Sequence, residues 1–455
     1  MPEDVLINPK DVPLSFSDSE GLNRVYGEIN TGDAWHYYQS VIGPEETVNP
    51  AILASDATHV TNFSGDGKPN RHAFLLLCYL PVCKFGKTQS ENTTQAKTFP
   101  GCLKARLIHA CLKIVLKTLK DAGRTAVPMV NFCGEEQMNR VFLSAWIADK
   151  EEQNLLAALG GNSCTTCEAE TDDLGDSSPC QPCQAKYILK KIAQVKMKFN
   201  PSTQLWDFIK ECQNHQLGGV DEPFWDDLPY TDICKVICHD TLHGLHKAFK
   251  DHTAQWNINC ITPFEIDNRI SKISVQSRAA IRATRAELDF IYHAGWKSLG
   301  DDDLQRMEDF NKVFHENKHA FVKTGQHGGR EQSHFKIPKV HARHHYRENI
   351  LLLGAPYNYS TEISEHYHIE IAKKAYKATN QKDYVKQMLV WLTRQEKIYL
   401  RDQEFDGFLP QDTKEEHGDT SGTQQVDDHM VDLEDKTEYS MTDSLVQSKK
   451  IVPVI

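Results

Sequence analysis

"NPAILASDATHVTNF", residues 49–63, combines a short apolar run with an acid directly after it. Its small and apolar run, Ala51–Ser55, predicts a short buried strand, and Asp56 follows that strand directly. An acid at the carboxyl end of a buried strand occupies the position where α/β sheets bind ligands. A capping or turn-initiating aspartate is the alternative, and this stretch alone does not decide between the two.

The next hundred residues continue the alternation of strands and helices. "RHAFLLLCYLPVCKF" predicts a second buried strand, Ala73–Leu80, and "GCLKARLIHACLKIVLKTLKDAG" predicts a helix that ends at Gly123. "VPMVNFCG" predicts a further strand, and "RVFLSAWIAD" a strand or a helix. The helix has a basic face that suits either phosphate or solvent, formed by Lys104, Arg106, Lys113, Lys117 and Lys120.

Beyond about residue 184 the patterns are mostly helical, so the predicted fold class is α/β, with a core sheet, a cysteine-rich insertion and a large helical remainder. The expected segments are a polar N-terminus (1–30), the first part of the core (31–160), the cysteine-rich insertion (161–184), the second part of the core with the helical region (185–409) and a disordered acidic tail (410–455). The tail prediction rests on composition, because residues 401–455 carry 14 acidic and 5 basic groups.

The composition excludes several classes of protein. A chain of 455 residues with 40% hydrophobic content can bury more than one ordinary core. No apolar run approaches the about 20 residues that span a bilayer, and the N-terminus lacks the basic and apolar regions of a secretory signal. The odd count of 13 cysteines favours reduced thiols over a disulfide framework. We therefore expect an intracellular protein without a membrane partner.

The cysteine-rich insertion has the spacing of a metal site. Cys164, Cys167, Cys180 and Cys183 form C-x2-C-x12-C-x2-C. Two such turns joined by a loop can supply four thiolates to a tetrahedral Zn²⁺, and a closed four-thiolate site would be structural. Two exposed, reduced cysteine pairs on a loop are the alternative.

"ICHDTLHGLHKAFKDH", residues 237–252, divides into two faces if it is a helix. One face, with Leu242, Leu245 and Phe249, would pack on the core. The other holds His239, His243, His246 and Lys250, with Asp240 one turn from His243. The spacing fits a solvated polar face as well as a metal or catalytic site.

Two later segments add further candidate groups. "PKVHARHHYRENILLLG" holds a histidine cluster, and "STEISEHYHIEIAKKAY" holds Glu362 and Glu365. Three carboxylates, those of Asp56, Asp240 and Glu365, can hold two Mg²⁺ ions about 4 Å apart if the fold brings them together. Such a pair of ions activates a nucleophile and stabilises the leaving oxygen of a phosphodiester.

Several long motifs together resemble one family. They are "GDAWHYYQSVIGPEETVNPAILASDATHVTNFSGD", "AFLLLCYLPVCKF", "PFWDDLPYTDI", "HDTLHGLHKAFKDH", "FHENKHAFVKTG", "FKIPKVHARHHY" and "STEISEHYHIEIAKKAYKATNQKDYVKQMLVWLTRQE". In this order, over about residues 20–400, the chain resembles the Plavaka-type transposases of mushroom-forming fungi, within the CACTA and Kyakuja-Dileera-Zisupton group.

The resemblance implies an RNase H-like core and a DDE-type triad that cuts and joins DNA with Mg²⁺ or Mn²⁺. Asp56 would then be the first acid and Asp240 the second, with His243 as its companion. Glu365 would be the third acid, with Glu362 as the alternative. The implied partner is the DNA of transposon ends and the implied compartment is the nucleus, while the oligomeric state stays open. His239, His246 and His252 would then be surface residues.

The chain also departs from the family pattern. Only "SGDGKPNR" stands between Phe63 and His72, where the family has another core strand, and a helical insertion is shortened between Asn268 and Arg282. The "CQPC" pair is not expected of the family, and His366 stands where an arginine is expected. A missing strand beside Asp56 would misplace that acid, so a decayed copy is one interpretation of the gaps. A gene-model error that treats coding sequence as intron is an equal alternative. The rival function is that of a non-catalytic, zinc-stabilised relic that binds nucleic acid or protein.

Overall fold

The computed structural model describes residues 23–55, 58–59, 76–81, 93–131, 133–260, 275–322, 335–362, 369–408 and 450–454. Its strands are β1 (Val25–Tyr26), β2 (Glu46–Ala54), β3 (Thr58–His59), β4 (Cys78–Leu80), β5 (Val127–Val130), β6 (Glu136–Ile147), β7 (Leu299–Gly300) and β8 (Lys450–Val454). Its α-helices are α1 (Asp33–Val41), α2 (Thr93–Val115), α3 (Lys117–Arg124), α4 (Lys150–Leu156), α5 (Ala185–Lys198), α6 (Leu205–Asn214), α7 (Ile233–Val236), α8 (Gln255–Cys260), α9 (Val275–Ala294), α10 (Asp301–Asn317), α11 (Pro338–Ala342), α12 (Tyr346–Leu353), α13 (Ala375–Lys377) and α14 (Tyr384–Phe408).

The central sheet has the strand order β2-β6-β5. β2 runs parallel to β6, from Glu46 opposite Met138 to Ala54 opposite Ile147, whereas β5 forms an antiparallel hairpin with β6. At the far end of β6, Ile237 makes a parallel bridge to Trp146. The end of β6 is therefore flanked by β2 on one side and by Ile237 on the other. The chain segments that follow β2, β6 and Ile237 start from the same edge of the sheet.

Both faces of this sheet are covered. Leu53, Leu143 and Trp146 point to one side, into a core shared with α2, α5 and α6. Ala54 and Ile147 point to the other side, against the segment that includes Leu353 and Tyr359. Neighbouring residues of a strand alternate between faces, so a strand buried on both faces is nearly continuously apolar. The run "FLSAWIA" is such a strand, and β6 settles the choice between strand and helix that its sequence left open.

The helical remainder packs around a second core. α9 and α10 contribute Phe290, Leu304 and Met307, which pack with Tyr346 and Ile350 of α12. A buried ion pair between Arg343 and Glu287, 3.1 Å from nitrogen to oxygen, ties α9 to the turn before α12. The same core therefore orients the segment 338–353, which carries the histidine cluster.

The α/β class is confirmed, and most predicted elements are present. The strand predicted at Ala51–Ser55 is the end of a longer one, β2, and the helix that ends near Gly123 is divided into α2 and α3. Of the strand predicted at Ala73–Leu80, the structure describes the end, β4. In the predicted disordered tail, residues 410–449 lie outside the described part of the chain, but β8 departs from that prediction by pairing with β3 and β4. None of the described helices is long and apolar enough to span a bilayer.

Candidate metal centre and adjacent cleft

Three chain segments leave the sheet at one edge. The backbone N–H of Ser55 donates to the carbonyl of Ile147 at 3.0 Å, and the N–H of Cys238 donates to the carbonyl of Trp146 at 3.3 Å. Loops that follow parallel strands at a shared carboxyl edge are the usual place for ligand sites in α/β proteins. Asp56 follows Ser55 directly but lies outside the described residues, as does Glu365.

Asp240 is at this edge and is buried, with 3% of its surface exposed. Its Oδ1 accepts hydrogen bonds from the backbone N–H of Leu242 at 3.0 Å and from the N–H and hydroxyl of Thr361 at 3.2 and 2.5 Å. Its Oδ2 accepts from the backbone N–H of His243 at 2.6 Å and lies 2.7 Å from His243 Nδ1. Burial raises the pKa of Asp240, but these bonds outweigh it and hold the pKa below the usual range.

The Asp240 carboxylate is therefore saturated. A carboxylate has about four lone-pair sites, and five donors already use them. Its role in this structure is to hold three things together: the turn that starts at Leu242, the ring of His243 and the segment at Thr361. Asp240 and His243 are in contact, as the sequence analysis expected. In this geometry, however, the Asp240 carboxylate has no unused lone pair to offer a cation.

His239 corrects one sequence expectation. The family resemblance implied a surface position for it, whereas only 3% of it is exposed. Its Nε2 lies 3.0 Å from the hydroxyl of Thr166, and its ring stacks on His345 with 5.5 Å between centroids. The physical reason is that residues 237–240 precede the helical turns. His239 is therefore not part of the helix, and helical spacing does not predict its position. His246 is exposed, as expected, and His252 is half-buried.

Asp149 is a candidate that the sequence analysis missed. It comes two residues after the end of β6 and caps α4, where its Oδ1 accepts the backbone N–H of Glu152 at 2.8 Å. That bond orients the carboxylate and uses one of its lone pairs. The signal was present in the sequence, because "WIAD" places an acid after a buried strand in the same way as "ILASD" does.

Asp149 and Asp240 line one cleft of about 180 Å³. Its other charged or titratable lining residues are Lys150, Glu151, His239, His243, Lys247 and Lys339. The Lys150 ammonium is engaged by Asn154 Oδ1 and the carbonyl of Ser163, both at 2.9 Å. The cleft is thus a mixed-charge site at the carboxyl edge of the sheet.

Behind the cleft lies a buried cluster of Cys164, Cys167, His341 and His345, whose ligand atoms all lie within 4.8 Å of one another. Cys167 Sγ is 3.1 Å from His341 Nε2, Cys164 Sγ is 3.4 Å from His345 Nε2, and the two Nε2 atoms are 3.3 Å apart. Bonds of about 2.3 Å to sulfur and 2.0 Å to nitrogen put tetrahedral zinc ligands about 3.3–3.8 Å apart. The donor set and its spacing fit a structural zinc ion.

The elements that present these ligands are short turns. Cys164 and Cys167 lie on one turn of the insertion, where the backbone N–H groups of Ala169 and Cys180 donate to the Cys167 sulfur. His341 ends α11 and His345 ends the following 3-10 turn, four residues later. This C-x2-C and H-x3-H pairing is a common spacing for zinc ligands.

The ligands already polarise one another. A hydrogen bond from Cys167, with further ones from His341 and His345, holds the pKa of Cys164 well below its usual range. Burial lowers the pKa of His345, but contact with Cys164 and Glu348 raises it to about 9. Glu348 lies 3.8 Å from His345 Nδ1, the position of a carboxylate that orients a histidine ligand.

The four-cysteine set expected from the sequence is not the set that the structure gathers. Cys180 packs at the edge of the cluster, and Cys183 packs instead against the core that contains Cys234. His341 and His345 occupy the two ligand positions that the sequence analysis assigned to Cys180 and Cys183. None of the eleven cysteines whose side chains the structure describes forms a disulfide.

The basic face of α2 and α3 is largely neutralised. Arg106 pairs with Asp221 at 3.4 Å, and Lys113 with Asp226 at 3.3 Å. Lys117 pairs with Asp121, and Lys120 with Asp227. Four of the five expected cations thus already have carboxylate partners, which argues against a phosphate-binding role for this face.

A model of the Plavaka transposase family matches residues 67–257. The matched segment contains Asp149, Cys164, Cys167 and Asp240 and ends before the two metal-site histidines. No curated protein and no solved structure matched the chain.

Proposed function

We propose that the protein derives from Plavaka-type fungal transposases of the CACTA and Kyakuja-Dileera-Zisupton group and acts on DNA in the nucleus. The observation that carries this proposal is the convergence of Asp149 and Asp240 on one cleft at the carboxyl edge of the sheet, inside the segment that resembles the family. The fold we infer for this core is RNase H-like. Its DNA partner would be transposon ends.

The proposed reaction is metal-dependent cleavage and transfer of DNA strands. Asp56, Asp240 and Glu365 are the acids expected from the resemblance, with His243 beside Asp240. Mg²⁺ or Mn²⁺ bound by such carboxylates would activate a water or 3′-hydroxyl and stabilise the leaving oxygen. The hydroxyl of Thr361 bonds Asp240, so Glu362, the next residue, starts from the same edge of the cleft.

Asp149 is our candidate for the second metal-binding acid. Asp240 has all its lone pairs in use, whereas Asp149 follows the central strand and spends one lone pair on the cap of α4. In this assignment Asp240 is a positioning residue: it orients His243 and the segment at Thr361 rather than touching a cation.

The decisive test compares Asp149→Asn with Asp240→Asn in a plasmid-nicking assay with Mg²⁺ or Mn²⁺. Asparagine keeps the capping of α4, so we expect Asp149→Asn to fold normally and to lose nicking by on the order of 100-fold or more. Asp240→Asn should lower the thermal midpoint, because the amide nitrogen cannot accept from these donors. Asp302→Asn, an exposed acid on α10, is the matched control.

Equal nicking by Asp149→Asn and the wild type would remove Asp149 from the reaction. A wild-type protein that binds DNA but never nicks it with either metal would overturn the catalytic proposal. That result would favour the alternative, a zinc-stabilised relic that binds nucleic acid. The observation that supports this alternative is the Asp240 carboxylate, whose lone pairs are all used in hydrogen bonds within the protein.

A further inference from the structure

Two lysines from elements far apart in sequence line the same cleft. Lys247 follows the π-helical turn Leu242–His246, and Lys339 belongs to α11. Both line the same cavity of about 180 Å³, beside Asp149 and Asp240. The pair is therefore a product of the fold and not of a basic run in the sequence.

These two ammonium groups lack the carboxylate partners that neutralise α2 and α3. Among the described residues, no carboxylate oxygen forms an ion pair with Lys247 or Lys339. Partial burial and then the charge of Lys247 lower the pKa of Lys339. Lys247 is exposed and Lys339 is half-buried. Two like charges that line one cleft are stabilised by an anion that lies between them.

The neighbouring acids offset this repulsion only in part, because the charges of Asp251, Asp149 and Asp240 raise the pKa of Lys339 while burial and Lys247 lower it on balance. The Asp240 carboxylate is directed at Thr361, Leu242 and His243, and one oxygen of Asp149 is held by the start of α4. The cavity has space for several heavy atoms, since a water molecule occupies about 30 Å³ in the liquid. A tetrahedral anion with several acceptor oxygens suits two ammonium groups.

We propose that Lys247 and Lys339 clamp one phosphate group of a DNA backbone at the mouth of this cleft. The assignment of the phosphate to DNA rests on the proposed function. A phosphodiester held there has its phosphorus beside the acids at the edge of the sheet, while the two lysines offset the repulsion between the phosphate and those carboxylates.

The first experiment is amine footprinting of the wild-type protein, without added divalent metal. An acylating reagent is applied alone, with a short DNA duplex, or with inorganic phosphate, and each lysine is followed by peptide mass spectrometry. The duplex should slow acylation of Lys247 and Lys339 several-fold, but not that of Lys250 or Lys312, which are exposed. Protection by inorganic phosphate but not by the duplex would overturn the DNA assignment, and protection by neither would overturn the clamp.

The second experiment measures DNA affinity against salt concentration. Lys247→Gln/Lys339→Gln should weaken duplex binding by about tenfold and reduce the slope of log affinity against log salt by about 1. The control, Lys250→Gln/Lys312→Gln, removes the same charge elsewhere and should leave both values near the wild type. Equal loss in the two double variants would refute a specific clamp. Asp149→Asn, by contrast, should abolish nicking without weakening binding, so failure of the catalytic proposal and failure of the clamp give different results.

Discussion

At the scale of single residues, His109 is a titratable group locked inside the apolar core. Its Nε2 lies 2.8 Å from the carbonyl of Leu155, and its Nδ1 lies 3.1 Å from the backbone N–H of Phe224. Nδ1 must accept and Nε2 must donate, so one neutral tautomer satisfies both bonds. Burial lowers the pKa of His109 to about 4.

We therefore predict a stability loss in mild acid that depends on His109. Below pH about 6.5 His109 becomes protonated in the unfolded chain, whereas in the folded protein it stays neutral down to its lowered pKa of about 4. The free energy of unfolding therefore falls as the pH falls between these two values. The expected contribution is about 3 kcal/mol. Urea unfolding of the wild type and His109→Gln across this range measures it, and the variant should show a shallower pH dependence. Parallel curves would contradict the prediction.

Sequence reasoning at this scale identified the right kind of residue and often the wrong partner. It predicted the pairing of Asp240 with His243 because they lie three positions apart, one helical turn. It missed Thr361 because that donor lies 121 residues away. It applied the rule of an acid after a buried strand to Asp56 but not to Asp149, although both sequences carry the same pattern.

At the scale of elements, the end of α12 depends on one glycine. Gly354 has φ +77° and ψ −162°, a conformation that is essentially restricted to glycine. A Cβ added there would come within 2.5 Å of the carbonyl oxygen of Gly27 and 2.6 Å of that of Glu28. The chain before α1 and the end of α12 therefore approach each other only because this side chain is absent.

Gly354→Ala should lower the free energy of unfolding by about 2 kcal/mol or more, because both the backbone conformation and the close approach are lost. Gly161→Ala is the control, since a Cβ at Gly161 meets nothing within 4 Å. Chemical denaturation of both variants gives the comparison. If the two substitutions cost the same, the close approach at Gly354 is not a determinant of stability.

Local patterns predicted elements well where the relevant contacts are local. The apolar run before Asp56 and the 3.6-residue periodicity of α2 were enough to locate those elements. The pattern at residues 237–252 misled for His239, because a bridge to β6 at Ile237 holds the chain extended until the π-helical turns begin. β8 was missed because the composition of the whole tail is polar and acidic, although its own residues, Lys450–Val454, include three β-branched side chains and pair with β3 and β4.

At the scale of the whole molecule, the Cys/His cluster joins two distant parts of the chain. Cys167 and His341 are 174 residues apart in sequence, and Cys164 and His345 are 181 apart. The two cysteines belong to the insertion beside the sheet, and the two histidines belong to the helical region. Sequence spacing could identify the C-x2-C half, but only the fold shows which distant residues complete the site.

The cluster also supports the cleft. His239, which lines the cleft, stacks on His345 and approaches Thr166 of the cysteine turn. Tyr346, the residue after His345, donates its hydroxyl to the carbonyl of Asp240 at 2.8 Å. A metal ion bound by the four ligands would therefore fix the wall of the cleft as well as link the two parts of the chain.

Metal content in purified variants separates the two ligand sets. We expect about one zinc ion per chain in the wild type, nearly none in Cys164→Ser, and wild-type content in the double variant Cys180→Ser/Cys183→Ser, because only the first substitution removes a donor of the tetrahedral set. Elemental analysis measures the metal, and thermal unfolding measures its effect, which should be a lower midpoint for Cys164→Ser. Cys133→Ser, an exposed cysteine on the β5–β6 loop, controls for loss of a thiol. Zinc loss from the double variant would instead support the four-cysteine site, and His341→Asn would then retain its metal.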